Sequence, residues 1–304
     1  MVNEYIRPST IREALDAKTK SRDAPYLAGG TYLLAGDYRE KPGAVIDVGP
    51  ILPKGIERRG PDLAIGAGAT FQDLADSGLA ESELGPSLGG ALLKAAALSM
   101  ANRNVRNRAT VGGNIGAAKS CSSLIPSLLV MDARLRVAGA GGGDQSREPS
   151  VMPLASWLGS PGGLILEILV PIERTRRGAF LRWARTACDL SLLTAAVSFE
   201  REGDRVRSPR IAMGGLSRLP RRFPELERLF EGSSLPPKGG IEALTLPHIA
   251  PLGDVRGSAE FKRSRAAMLL ADALWKAYSG DESPDPSGLG PAYSGCARGF
   301  KENA

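Results

Sequence analysis

Ala28-Gly29-Gly30-Thr31 and, further along the chain, Thr110-Val111-Gly112-Gly113-Asn114 decide how this sequence is read. Glycine has no Cβ, so its backbone can approach a ligand closely, and successive N–H groups in a tight turn can converge on one anion. Such loops suit a phosphate or pyrophosphate. Each follows an apolar or helical segment, and each carries a Thr or Asn able to hydrogen-bond phosphate or sugar-chain oxygens. Two of them point to a diphosphate-bearing organic cofactor gripped from two sides.

The segments around these loops read as alternating strands and helices. Tyr5-Ile6 is extended, Pro8-Ser9-Thr10 caps a helix through about Lys18, and Pro25-Tyr26-Leu27 enters the first Gly-Gly turn, which makes a βαβ start. Ala44 to Val48 and Leu63-Ala64-Ile65 are β-rich, and Thr70-Phe71-Gln72-Asp73 has the form of a capping box. Gly66-Ala67-Gly68 could open a dinucleotide fingerprint, but that motif needs glycine where Phe71 stands, so the stretch is read as a turn. Leu88 to about Asn102 is an alanine- and leucine-rich buried helix leading to the second loop. Leu124 to Val130 is a second helix, Arg134 to Val137 a strand, and Gly139 to Gly143 a loop tip. Leu164 to Val170 is a strand closed by Pro171. Beyond the basic stretch Glu173 to Gly178, Thr194 to Phe199 and Arg210 to Met213 read as antiparallel strands joined through Gly203-Asp204. Ser258 then caps a helix with Phe261, Met268, Ala271, Trp275 and Tyr278 at helical spacing, a packing stripe.

Composition removes several classes of function. The 304 residues are 42% hydrophobic and 24% charged, which is ordinary for a globular protein with room for two or three domains. The N-terminus is too polar for a signal peptide and no apolar run reaches membrane-spanning length, so the expectation is a cytoplasmic protein. Cys121, Cys188 and Cys296 are too scattered for a disulfide framework, a structural zinc or an iron–sulfur cluster, so any redox centre on this chain is organic. A net charge of +6 is spread in short groups such as Arg103, Arg106 and Arg108 without interleaved aromatics, which does not read as a nucleic-acid surface. Gly85-Pro86-Ser87-Leu88-Gly89 matches the serine-nucleophile pattern. It lacks a preceding strand, and the single histidine, His248, lies in a loop between prolines, so Ser87 is read as a helix cap.

At the two loops and their flanks the sequence resembles the FAD-binding medium subunit of the molybdenum hydroxylases, the family of xanthine dehydrogenase, aldehyde oxidoreductases and aerobic carbon monoxide dehydrogenase. The match is carried by Tyr26 to Leu33, by Asn104 to Ile115, by Leu124-Ile125-Pro126 with Asp132-Ala133, and by Asp254-Val255-Arg256-Gly257-Ser258 and Phe261-Lys262-Arg263; it runs from about residue 3 to 278. The resemblance implies an α+β fold: a two-subdomain FAD-binding domain of the PCMH (VAO-like) type over 1–173, with subdomains of about 1–55 and 56–173. A smaller α+β domain with an antiparallel sheet follows over 174–280. The Pro-, Gly- and Ser-rich tail 281–304 is expected to be mobile by itself.

By the same resemblance, Tyr26, Leu27, Ala28, Gly29, Gly30, Thr31, Tyr32 and Leu33 wrap the FAD pyrophosphate. Thr110, Val111, Gly112, Gly113 and Asn114 add contacts to pyrophosphate and ribityl, while Met100 lies against the cofactor, Ile165 near its adenine side, and Arg182 reaches the flavin. One departure stands out. The family's run after the second loop usually ends in an aspartate that touches the ribityl chain; here it is Lys119-Ser120-Cys121-Ser122-Ser123, with Ser123 in that place. The carboxylate is missing and a lysine is added; a purine-hydroxylase-like subgroup of the family also lacks that aspartate, so the resemblance leans towards a xanthine dehydrogenase-type complex. The implied function is electron transfer without an acid or base on this chain. Electrons pass from [2Fe–2S] clusters of a small partner subunit through FAD to NAD+ or another acceptor, with substrate oxidised on a large molybdopterin subunit. A stand-alone flavin oxidase or reductase, or an assembly subunit that has lost FAD, are the rival readings.

Overall fold

The computed structural model describes residues 2–35, 42–139 and 148–280. The expected tail from residue 281, Cys296 and most of the loop tip from Gly139 to Gly143 lie outside the described residues. The chain forms two compact units, neither contiguous in sequence. The first takes residues up to Leu79 with Arg103–Ala118 and Asp132–Ile172; the second takes Ala80–Asn102, Lys119–Met131 and the chain from Glu173. Both Gly-Gly stretches therefore belong to the first unit. Among the described residues no helix is long and apolar enough to cross a membrane.

In the first unit, strands β1 (Glu4–Ile6), β2 (Tyr26–Leu27) and β3 (Ala44–Asp47) make a parallel sheet in the order β1-β3-β2. The βαβ start forms, but β3 lies between the other two strands. Its buried Val45 and Ile46 are the apolar residues that a central strand requires. The intervening helix Ile11–Lys20 begins where the sequence places its cap: Thr10 Oγ1 accepts from the Glu13 amide at 3.1 Å, and the Glu13 carboxylate accepts from the Ser9 amide at 2.7 Å.

A second, antiparallel sheet of this unit is ordered β4-β5-β8-β6-β7 from β4 (Ile56–Arg59), β5 (Asp62–Gly66), β6 (Arg134–Ala138), β7 (Ser150–Pro153) and β8 (Leu164–Pro171). Strand β8 is apolar except for Glu167, whose buried carboxylate accepts from Arg59 at 2.8 and 3.0 Å and from Arg136 at 2.6 Å. Burial alone would raise its pKa; the two guanidiniums more than offset this and hold it below the usual range.

The second unit is built on the antiparallel sheet β12-β11-β10-β9, from β9 (Arg177–Trp183), β10 (Leu193–Glu202), β11 (Arg205–Gly214) and β12 (Arg221–Arg222). The expected hairpin turns at Gly203, whose φ of +62° suits glycine. Core-facing residues alternate along β9 and β10 up to the irregularity after Ser198. Leu181, Leu193, Ala195, Val197 and Phe199 share a core with Ala266, Leu270 and Leu274 of the helix Ala259–Ser279, whose cap Ser258 accepts from the Phe261 amide at 3.2 Å. Intervening positions meet other partners: a Cβ at Gly178 would stand 2.5 Å from Leu92, and Ser198 Oγ donates to the Val130 carbonyl at 2.6 Å at the end of the helix Leu124–Val130.

Two expectations need correction here. The segment from Leu88 to Asn102 is not one α-helix: Pro86–Lys94 is π-helical, Ala95–Leu98 is α-helical, and the chain has turned out by Ala101, at φ +40°. The pair Gly89-Gly90 permits the wider turn, because a Cβ at Gly89 would lie 2.5 Å from the Ala80 carbonyl oxygen. The cap is Gly85 at φ +76°, so Ser87 lies inside the first turn; the residues before it form the helix Gly78–Gly85, which leaves no strand for a nucleophile elbow.

A Glu167→Gln chain should lose about 1–3 kcal/mol of stability at pH 7, because two guanidiniums lose their carboxylate. A depressed carboxylate contributes stability that is present above its unfolded pKa and is lost as pH falls through the folded value. Urea unfolding should therefore show a gap between wild type and variant that is constant above about pH 5 and closes in more acid solution. A gap independent of pH would contradict the assignment.

Candidate functional site

The two Gly-Gly stretches meet through their backbones. A Cβ built at Gly29 would stand 1.8 Å from the carbonyl oxygen of Arg108 and 2.8 Å from its carbonyl carbon, so no residue with a side chain fits there. Gly30 follows at φ +72°, and the Leu34 amide returns to its carbonyl at 3.0 Å. Among the described residues, no protein acceptor takes the amides of Gly29, Gly30, Thr31 or Leu33. Leu27 is buried, Ala28, Gly29, Gly30 and Leu33 are half-buried, and Thr31 and Tyr32 are exposed. Tyr26, at the strand end, is desolvated, which pushes its hydroxyl up to about 12 and keeps it neutral.

The second stretch differs from its expected form. Thr110 to Asn114 is not an amide-lined bend but the start of the helix Val111–Ala117. Thr110 Oγ1 accepts from the Gly113 amide at 3.1 Å. The remaining amides are also engaged: Val111 donates to Ala69 at 2.8 Å, Gly112 to Ala67 at 2.9 Å and Asn114 to Thr110 at 3.0 Å. This part of the site can therefore offer an exposed glycine surface at Gly113 and side-chain groups, and none of these four N–H donors. Gly112 is needed for closure, since its Cβ would lie 2.6 Å from that of Ala67.

The turn Gly66–Thr70 is the floor on which this helix rests. Thr70 and Thr110 form an isolated antiparallel bridge, with the Phe71 amide donating to Ala109 at 2.9 Å. Thr70 completes the expected capping box with Asp73, at 3.0 and 2.9 Å, and Phe71 is buried at the first helical position, where a dinucleotide fingerprint would need glycine. Of the lead-in arginines, Arg106 donates to Gln72 at 3.0 Å and Arg103 faces Asp76 at 3.8 Å.

Ile165 is buried in β8, paired with Val137 beside the irregularity in β6. The other three candidates belong to the second unit. Met100 is half-buried in the bend after Leu98 rather than on a helix. Ser123 is buried, does not cap the helix that follows it, and its hydroxyl has no hydrogen-bond partner among the described residues. Arg182 is the clearest departure. It is buried in β9, and its guanidinium donates to the carbonyls of Ser99 at 2.5 Å, Ala187 at 2.8 Å, Asp189 at 2.6 Å and Thr186 at 3.4 Å. Burial lowers its pKa, with Asp189 acting the other way. These terminal donors are spent on the backbone, so Arg182 shapes the segment 186–189 and the turn at Ser99 instead of reaching a ligand.

The geometry passes a fit test for a diphosphate. A glycine backbone that no side chain can replace presents four unclaimed amides beside a rigidly capped helix. Gly29→Ala should separate the two stretches, cost at least about 2 kcal/mol in urea unfolding and abolish retention of flavin through purification. Thr110→Ala should cost about 1 kcal/mol, the value of an N-cap. A Gly29→Ala chain that unfolds and retains flavin like wild type would refute the close approach.

Comparison with known proteins shows the family. Residues 1–172 match the family model described as the FAD binding domain in molybdopterin dehydrogenase, and residues 178–277 match the CO dehydrogenase flavoprotein C-terminal domain. The chain is 28% identical over 275 to 279-residue alignments to relatives that include the xanthine dehydrogenase FAD-binding subunit of Escherichia coli O157:H7, covering 85% of this chain and 90% of that one. It is 25% identical to the carbon monoxide dehydrogenase medium chain of Afipia carboxidovorans, covering 90% and 96%. A carbon monoxide dehydrogenase structure from Hydrogenophaga pseudoflava superposes with a TM-score of 0.81 at 26% identity, covering 92% of this chain and 98% of that one. With more than half its length on one family model, an α+β fold to match and a loop fit for a diphosphate, the chain belongs to the FAD-binding subunits of the molybdenum hydroxylases.

Proposed function

We propose that this chain is the FAD-carrying electron-transfer subunit of a xanthine dehydrogenase-like molybdenum hydroxylase, taking electrons from the [2Fe–2S] clusters of a small partner subunit and delivering them to NAD+ or another acceptor. Substrate oxidation belongs to a large molybdopterin subunit. The observation that carries the reading is the Gly29–Arg108 contact, which sets unclaimed loop amides beside the Thr110-capped helix.

When bound, FAD supplies the redox chemistry, accepting electrons and passing them on. The chain's own share is binding and orientation. The amides of Gly29, Gly30, Thr31 and Leu33 would take the diphosphate oxygens, as neutral donors that need no counter-cation. Thr110 holds its helix against the Gly66–Thr70 turn, and Gly113 and Asn114 border the same place. Ser123 would give the ribityl chain a hydroxyl that can donate as well as accept, where a carboxylate could only accept. Met100 and Ile165 would be apolar neighbours of the cofactor. The domain limits follow the same reading, with FAD binding over 1–173 and the smaller domain over 174–280.

The test is to express the chain alone and together with its partner subunits. Alone, it should carry close to one FAD per chain, shown by a flavin visible band, and turn over no hydroxylase substrate. In the assembled complex, substrate should bleach the band and NAD+ should restore it. Turnover by the isolated chain would favour a stand-alone oxidase, and a colourless chain that refuses added FAD would favour an assembly subunit.

A further inference from the structure

The unclaimed amides of the first loop have little inside the loop to aim them. Among the described residues its own backbone bonds run from the Leu34 amide to the Gly30 carbonyl at 3.0 Å and from the Ala35 amide to Tyr32 at 3.1 Å, so nothing in the loop ties down Ala28 or Gly29. Their direction is set from outside. On one side stands the Arg108 carbonyl against Gly29. On the other lies the turn after β3: a Cβ built at Gly49 would be 3.6 Å from the Ala28 carbonyl oxygen and 3.8 Å from the Ala28 Cα, and the Val48 amide donates to the Leu27 carbonyl at 2.8 Å. Ala28-Gly29 is held between two stretches of backbone.

Asp47, the last residue of β3, fastens that second turn. Its Oδ1 accepts from the Gly49 amide at 3.1 Å, the closure of an Asx turn, and its Oδ2 accepts from the Tyr5 hydroxyl of β1. The pairing explains why these two meet. Tyr5 stands opposite Val45 in the parallel register of β1 and β3, and a side-chain period of two puts Asp47 on the same face, one pair farther along. Both carboxylate oxygens are thus committed. Asp47 is 9% exposed and Tyr5 57%, so a surface phenol closes a buried group. The pKa of Tyr5 is raised, first by the hydrogen bond to Asp47, then by desolvation and the Asp47 charge, against the opposing Arg7, so the hydroxyl keeps the proton it donates.

We infer that Asp47, steadied by Tyr5, is a positioning residue that fixes the Val48-Gly49 turn against Ala28 and so orients the amides of Gly29, Gly30 and Thr31 for a diphosphate. The inference rests on the FAD reading above and uses residues of the first unit alone. Asp47 acts through the turn. An ionised carboxylate has no proton to give a diphosphate, and its like charge would oppose one, so its value is preorganisation: amides already aimed lose less entropy when the ligand arrives.

A double-mutant cycle on the full chain tests this, with FAD dissociation constants from flavin fluorescence on titration with apoprotein and with backbone 15N order parameters of the loop in the apoprotein. Tyr5→Phe should weaken FAD about fivefold, the worth of one hydrogen bond, and lower the order parameters of Gly29, Gly30 and Thr31. Asp47→Ala should weaken it about tenfold or more, and Tyr5→Phe on that background should add less than about twofold, because the two act as one unit. Asp47→Asn can still accept from the Gly49 amide and can donate to the Tyr5 oxygen, so it should bind within about twofold of wild type. If Asp47→Ala does not fold by circular dichroism, Tyr5→Phe and Asp47→Asn decide the matter by the same two measurements. A Tyr5→Phe chain that binds FAD like wild type, weaker binding with unchanged loop order, independent multiplicative effects, or an Asp47→Asn chain as weak as Asp47→Ala would each overturn the positioning role while leaving the FAD reading intact. A wild-type apoprotein that takes up no FAD would instead overturn both.

Discussion

Everything at the candidate site depends on how closely two backbones approach at Gly29 and Arg108. That contact leaves no room for a methyl group and needs nothing but steric permission. Its effect is to seat a turn with unclaimed amides against a chain that has just left one short helix and is about to enter another. The glycines divide this work. Gly29 and Gly112 are absent side chains at close approaches, to Arg108 and to Ala67, while Gly30 supplies the left-handed turn. Replacing any of them would change a different thing, which explains why two Gly-Gly pairs that look alike in sequence behave differently in the fold.

Within the second unit, arginines organise what regular secondary structure does not. Arg182 gathers carbonyls from Ser99 and from residues 186–189; Arg256 takes the carbonyl of Ser191 and reaches Ser120. Between them they fix an irregular connection, a helix exit and an isolated segment, all within one unit. A guanidinium carries five donors in a rigid fork, so a single side chain can satisfy several loop carbonyls that would otherwise need water. In the other unit Glu167 plays the converse part, one carboxylate accepting from two arginines across the sheet.

Much of the architecture was legible because it rests on local rules. Thr10, Thr70 and Ser258 announce their helices by capping chemistry, and the hairpin at Gly203 follows from alternating apolar residues on either side of a turn. The helix Leu124–Val130 is apolar but for Ser127 and buried throughout. What was not legible depends on partners distant in the chain. Gly112-Gly113 reads as a loop until one notices that Thr110 stands three residues before Gly113, the spacing of a cap, a signal that was present and outweighed by the glycines. The π-helical turn at Gly89 depends on the Ala80 carbonyl, and the strand Ile56–Arg59 has too little apolar pattern to stand out. Arg182 could only be placed at the flavin by resemblance; its actual carbonyl partners come from two segments, Ser99 and residues 186–189, that no spacing rule connects.

The account's central claim is that amides of the first loop, and not those of the second, receive the diphosphate. Amide hydrogen exchange of the whole chain, with and without saturating FAD, tests this most directly. The account predicts that FAD sharply slows exchange at Gly29, Gly30, Thr31 and Leu33, and leaves Val111, Gly112, Gly113 and Asn114 with the protection their protein acceptors already give them. Unchanged exchange across the first loop in an FAD-saturated chain would contradict it.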